Sequence, residues 1–211
     1  MLILPSPRLV VLEVPKTGSL ALRAMLEPLA TDLAPDAPRH IRAEAFDRNH
    51  RAALETELGG RVELVAVVRE PLRRLQSWYR YRQRDNVAAL RISTREVSFN
   101  DFVADYLSPH PHPRAKLGRQ DRFVGWDGAR ARVDHLFDYR RTDRLVAFLS
   151  DRLGTRLKLP FRNVSPEAED TDYTLEEEVL ARLLKRNAAE FDLYAAVRGA
   201  GHLVAPPPAP A

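Results

Sequence analysis

The sequence predicts an α/β fold in which a parallel sheet is flanked by helices on both faces, a three-layer arrangement. Three short apolar runs carry that expectation: residues 10–14, residues 62–68 (VELVAVV) and residues 134–139 (DHLFDY). Each is rich in Val, Leu or Phe and ends abruptly, as strands buried on both sides do. Amphipathic segments alternate with them, and strand–helix alternation marks parallel strands joined by crossover helices.

Val10, Val11, Leu12 and Val14 make the first strand, and PKTGS at residues 15–19 breaks its apolar pattern. Leu20, Leu22, Met25, Leu26 and Leu29 follow at roughly helical spacing, so the unit reads strand, tight loop, helix. A loop over residues 31–39 leads to His40, and residues 42–58 read as a polar amphipathic helix stopped by Gly59-Gly60. The second strand ends at Arg69-Glu70-Pro71, where Pro71 suits the first turn of a helix carrying Leu72, Leu75, Trp78 and Tyr79 on one side. Ser98 and Asp101 form a Ser-x-x-Asp cap signal for a helix over 98–108, and a proline-rich loop with His110 and His112 follows. The third strand leads into a helix ending at Leu153 with a turn at Gly154, and residues 174–197 read as helical. One domain is expected over residues 1–204, with a flexible Pro-rich tail over 205–211.

The 211 residues suffice for a sizeable core. Cys is absent, which excludes disulfides, thiolate catalysis and Cys-ligated metals. The apolar N-terminal stretch contains two prolines, Arg8 and Glu13, a poor match to a signal peptide. No run approaches the roughly 18 apolar residues of a membrane-spanning helix, so a cytoplasmic protein is expected. Net charge is +4, and the arginines concentrate between Arg69 and Arg95 and between Arg114 and Arg144. Such stretches serve either as solvated helix faces or as sites for anions, whose oxygens arginine binds bidentately.

The loop at residues 15–19 is the first chemical signal. A loop entering a helix N-terminus aims free N–H groups and the positive dipole end at its guest. With Lys16, the hydroxyls of Thr17 and Ser19, and Gly18, that guest is an anion, above all a phosphate. The second signal is Arg69, at the carboxyl end of a strand, where open α/β sheets place ligands. Ser77 lies about two helical turns further on, with Arg73 between them. Two strand-tip anion sites in one sheet suit a nucleoside with phosphates on two sides.

PKTGS after one strand and VVREPLRRLQSWYR after another resemble the paired nucleotide motifs of sulfotransferases that use 3′-phosphoadenosine 5′-phosphosulfate (PAPS). The likeness is closest to the carbohydrate (family 2-like) sulfotransferases. It extends weakly through His40, FDYRRTDRLVAFLSDRLG at 137–154, PFRNVS at 160–165 and NAAEFDLYAAV near the C-terminus. The resemblance implies a P-loop NTPase-like sulfotransferase fold. It implies that Lys16, Thr17, Gly18 and Ser19 bind the 5′-phosphosulfate and that Arg69 and Ser77 bind the 3′-phosphate. PAP is then the product, with no metal, no nucleic-acid partner, and a carbohydrate or small-molecule hydroxyl as acceptor. Two departures stand out: Leu20-Ala21 where the family usually has Thr-Ser, and Arg140 after Tyr139 where it often has Glu.

Sulfuryl transfer is in-line and builds negative charge on the leaving oxygen, which Lys16 and the loop N–H groups are placed to stabilise. His40 is the expected base, since histidine titrates near neutrality and the resemblance places a catalytic histidine there. Glu44 is its possible partner or replacement. His110 and His112 are the next candidates, while His50, His135 and His202 carry weaker claims. Two other classes stay open. A P-loop kinase or nucleotidase lacks its Gly-x-x-x-x-Gly-Lys-Ser/Thr motif here. A non-catalytic polyanion-binding or degenerate sulfotransferase-like protein is compatible with Leu20-Ala21.

Overall fold

The three expected strands lie side by side and parallel at the centre of the sheet. In the computed structural model, which describes residues 1–160 and 171–205, β1 (Leu2–Leu4), β2 (Leu9–Leu12), β3 (Glu63–Val68), β4 (His135–Asp138) and β5 (His202–Val204) follow one another across a single sheet. Val11 sits opposite Val65 in the β2–β3 pair, and Val65 opposite His135 in the β3–β4 pair. Both edge strands run antiparallel, β1 against β2 and β5 against β4. The all-parallel sheet expected from the sequence is therefore corrected to a mixed one. The two unexpected strands have three residues each, too few to leave a periodic signature.

The helices among the described residues are α1 (Ser19–Leu26), α2 (Ala43–Phe46), α3 (Ala52–Glu57), α4 (Pro71–Tyr81), α5 (Phe99–Tyr106), α6 (Gln120–Val124), α7 (Thr142–Leu153), α8 (Glu177–Arg186) and α9 (Ala188–Ala200). A π-helical turn over Asp47–Arg51 joins α2 to α3, so the helix expected over 42–58 is present with a local widening. The Ser98 hydroxyl accepts from the Asp101 N–H at 3.0 Å and caps α5 as expected. The single helix expected over 174–197 breaks in two at the buried Asn187. Apart from Pro160, the 160–165 stretch lies outside the described residues, as does the tail from residue 206.

Strand residues alternate between two cores. Leu9, Val11, Val65, Val67 and Phe137 face α1 and α7, where Leu22, Met25, Leu26, Leu145 and Leu149 meet them. Val10, Leu12, Leu64, Ala66, Val68 and Leu136 face the other way, against Phe46, Leu54, Phe123, Val124, Leu193 and Val197. Helices therefore cover both faces, which is why the strands read as unbroken apolar runs. A third cluster packs α4, α5 and α8 together through Leu75, Tyr79, Phe102, Val103, Val179 and Leu183. No helix among the described residues is long and apolar enough to cross a membrane.

A buried ion pair ties this helical cluster to the sheet. Arg74 of α4 and Glu190 of α9 meet at 3.0 Å with both side chains 2% exposed. Removing one partner of such a pair strands the other charge in a dry interior. Glu190→Ala is expected to lower unfolding free energy by about 3–5 kcal/mol, read by urea denaturation.

Candidate functional site

The loop after β2 is shaped by two residues of left-handed backbone. Lys16 has φ 71°, unusual for a side chain with a Cβ, and Gly18 has φ 78° and serves as N-cap of α1. A side chain at Gly18 would be strained by this positive φ, and its Cβ would press on the Tyr139 ring, 3.1 Å from Cε2. The Thr17 hydroxyl is buried and donates to the Val14 carbonyl at 2.7 Å, so it braces the loop. Ser19 is the first residue of α1 and is also buried. Among the described residues, no turn, cap or side-chain bond takes up the N–H groups of Lys16, Thr17, Gly18 and Ser19. Consecutive N–H groups left free by turn geometry at a helix start make a concavity suited to an anion.

Arg69 comes to the same place from the tip of β3. Its Nη1 donates to the Lys16 carbonyl at 3.4 Å, and its guanidinium lies 4.6 Å from the centre of the Tyr139 ring. Gln120 pins its backbone on both sides, accepting from the Arg69 N–H and donating to the Arg69 carbonyl, each at 2.8 Å. Burial pushes the Arg69 guanidinium below its ordinary pKa, and neighbouring Arg80 and Arg73 push in the same direction. Arg73, Ser77 and Arg80 stand at i, i+4 and i+7 on α4, one above another on one face. Ser77 is buried, and its hydroxyl makes no hydrogen bond to Arg69 among the described residues. Arg73 itself reaches Gln76 at 3.3 Å.

Lys16 sits among cations. Its ammonium lies 4.3 Å from the Tyr81 ring centre and 5.5 Å from that of Trp78. Burial is the chief cause that lowers its pKa to about 7, and the charges of Arg84, Arg69, Arg80 and Arg82 add to it. The acid nearest in sequence, Glu13, is buried and committed elsewhere, to Arg23 and to Arg39 at 2.9 Å. An anionic guest therefore meets a site with concentrated positive charge.

His40 is exposed, and its Nδ1 lies 2.7 Å from the Glu13 carbonyl, three residues before Lys16. A carbonyl only accepts, so Nδ1 carries a proton, and in the neutral ring Nε2 has the lone pair. Glu44 is exposed, with its nearest ionic neighbour Arg48 at 3.9 Å. His112 accepts from the Arg114 N–H at 3.3 Å and caps a turn. His135 and His202 lie 3.2 Å apart, with His135 also bonded to Glu63 at 2.8 Å, and they fasten β5 to β4. His50 stands in the π-helical turn. Leu20 is 46% exposed at the loop, whereas Ala21 is buried.

Sequence reasoning passed over Tyr139, whose ring contacts both Gly18 and Arg69, although it follows directly on β4 and the strand-tip rule applied to it equally. It also passed over Tyr81 and Gln120, and it left Arg80, Arg82 and Arg84, within the 69–95 stretch, open between a solvated face and an anion site. Trp78, read as core or near-pocket packing, packs against the α4–α5–α8 cluster and also stands near Lys16. Comparison of the chain with protein-family models, curated proteins and solved structures gives no match.

The chain has only four lysines, which makes the Lys16 ionisation directly observable. In ¹³C-lysine NMR, one ε-methylene signal is expected to titrate with a midpoint near pH 7. That signal should vanish in Lys16→Arg; a Lys16 signal unchanged between pH 6 and about 9 would refute the depressed pKa.

Proposed function

We propose that this chain is a sulfotransferase that moves a sulfuryl group from PAPS to an acceptor hydroxyl, releasing PAP. The observation that carries the reading is the meeting of two strand-tip anion groups, the 15–19 loop and Arg69, linked by the 3.4 Å bond from Arg69 to the Lys16 carbonyl. A nucleotide with negative groups on two sides supplies the counter-charge that Lys16 and its arginine neighbours lack among one another. The paired motifs add PAPS as the nucleotide, a P-loop-like sulfotransferase fold as the family of the sheet, and a carbohydrate hydroxyl as the favoured acceptor.

In this reading the loop N–H groups and Lys16 face the phosphosulfate, and Arg69 with Ser77 faces the 3′-phosphate. The acceptor oxygen forms its bond to sulfur as the bond from sulfur to the bridging oxygen breaks. The electron pair leaves with PAP, where Lys16 stabilises it. The acceptor proton passes to Nε2 of His40, the nitrogen left bare by the bond from Nδ1 to Glu13. A bound phosphate favours the ammonium form, so Lys16 is held charged at neutral pH once the ligand is present.

Calorimetric titration with PAP beside ATP tests the nucleotide site. PAP should bind more tightly than ATP, and Arg69→Ala should weaken PAP about 10- to 100-fold, as loss of a charge-assisted contact worth about 1.5–3 kcal/mol requires. Absence of PAP binding to folded protein would overturn the proposal. The pH dependence has a definite sign. Free Lys16 is neutral above about pH 7 and charged when bound, so binding takes up a proton. Affinity should therefore fall as pH rises past 7, by up to about tenfold per unit.

His40→Ala separates base from binding residue. Turnover of PAPS should drop about 10²- to 10⁴-fold while PAP affinity stays within about twofold of the parent. Unchanged turnover would remove His40 from the mechanism.

A further inference from the structure

Beside the candidate nucleotide site lies a cleft of about 610 Å³ whose lining includes five basic residues, Arg42, Lys116, Arg119, Arg122 and Arg186, and no Asp or Glu. Two of the five are already committed. Arg119 pairs with Asp121, Nε to Oδ1 at 2.9 Å, and donates to the Arg186 carbonyl at 2.9 Å, while Arg186 donates to the Leu107 carbonyl. Arg42, Lys116 and Arg122 are exposed and have no ionic, hydrogen-bond or ring partner for their side chains among the described residues. Solvated surface cations usually disperse; three of them around one concavity, with no acid between, focus a positive potential into it. Tyr106, Pro109, Pro111, Leu117 and Phe123 supply apolar wall, against which C–H faces of an organic body can pack.

The position of the cleft gives it a role. Its Gly118 carbonyl accepts from Arg74 at 2.7 Å, and Arg119 is followed directly by Gln120, which pins Arg69. Arg42, also part of the lining, is two residues from His40 along the chain. The segments that form the cleft thus lead to the proposed 3′-phosphate arginine on one side and to the proposed base on the other. A neutral acceptor would leave Arg42, Lys116 and Arg122 uncompensated, whereas an anionic one offsets their repulsion and gains charge-assisted hydrogen bonds.

We propose that this cleft is the acceptor subsite and that its ligand is an anionic hydroxy compound, held through a carboxylate, phosphate or sulfate by Arg42, Lys116 and Arg122. Its role as acceptor subsite rests on the sulfotransferase reading; its binding of an anion does not.

The test is titration of the ¹⁵N-labelled full chain with glucuronate, glucose 6-phosphate and neutral glucose, each with and without saturating PAP. Both anionic sugars should bind at least about tenfold more tightly than glucose. The double variant Lys116→Ala/Arg122→Ala should weaken them about tenfold or more and leave PAP affinity within about twofold, and Lys116→Arg should restore most of the loss carried by that position. Arg69→Ala should do the reverse, weakening PAP and sparing the anionic sugars. Both variant sites in the cleft are exposed, and equal thermal midpoints confirm that the fold is kept. Anionic sugars that bind no better than glucose overturn the inference. So does sugar binding lost in Arg69→Ala and kept in the cleft variant, which would place the sugar phosphate in the nucleotide site. PAP binding without cleft-dependent sugar binding overturns this inference alone; cleft-dependent sugar binding without PAP binding supports the anion site and overturns the sulfotransferase reading.

Discussion

Glu190 of α9 is buried with its carboxylate shared among the Arg74 guanidinium at 3.0 Å, the Gln120 N–H at 2.9 Å and the Asn187 side-chain amide at 3.0 Å. A carboxylate in that setting is tolerable only with all its partners in place, because an unpaired charge in the interior is penalised by several kcal/mol. The requirement binds α4, the start of α6 and the α8–α9 junction into one arrangement. It then propagates outward. Gln120, fixed through its N–H, uses its side chain to grip both backbone groups of Arg69, and Arg74 uses a second bond to hold the Gly118 carbonyl. The break in the expected C-terminal helix belongs to the same network, since Asn187 sits at the break and also donates to the Tyr106 hydroxyl at 2.8 Å. One buried acid thereby sets the strand-tip arginine and the wall of the basic cleft relative to each other.

The candidate site carries the opposite kind of electrostatics. At Glu190 charges are matched and dry; around Lys16 they are alike and partly exposed. Backbone strain coincides with that charge imbalance, because Lys16 is one of only two non-glycine residues with positive φ among those described. A left-handed non-glycine residue and an ammonium pushed down toward neutrality both lower stability, and neither is needed to build the sheet. Residues that break local rules without helping the fold are where binding and chemistry concentrate. Tyr139 helps make the arrangement tolerable: its ring lies against the Arg69 guanidinium and closes over Gly18, replacing water with a polarisable surface on which a cation is favoured.

The three central strands and most of the helices were legible because burial on both faces writes a dense apolar run, and that run survives in a single sequence. Residues 62–68 are the clearest case, with five consecutive residues of β3 fully buried. The edge strands were not legible, since three residues against one neighbour are held by the sheet and not by their own pattern. The loop at 15–19 and Arg69 could be singled out because Pro, Gly, Lys and Arg at strand ends are read directly from sequence order. Gln120 could not be found that way, because its role comes from a neighbour 51 residues away; Tyr139 stands at a strand end, but its place beside Arg69 and Gly18 depends on a different crossover. The cluster around Lys16 was hidden for a similar reason, because Arg80, Arg82 and Arg84 look like an ordinary solvated helix end until the loop of β2 is laid beside them.

Leu20 and Ala21 are the strongest sequence objection to the proposed chemistry, and the structure bears on how much they weigh. Ala21 is buried in α1 and Leu20 is about half-exposed, and neither carries a hydroxyl, so the hydroxyl contacts that the motif resemblance associates with those two positions are absent. A hydrogen bond from a neutral hydroxyl contributes about 0.5–1.5 kcal/mol, whereas one involving a charged group contributes about 1.5–3 kcal/mol. The concavity itself depends on the backbone at Lys16 and Gly18 and on N–H groups that every non-proline residue carries. Replacing two hydroxyl residues by Leu and Ala therefore removes the weaker contacts and leaves the stronger set, Lys16, Arg69 and the loop N–H groups, in place. In the proposed reading the departure changes how tightly the phosphosulfate is held more than where it is held, and it shifts the weight of recognition onto the arginines.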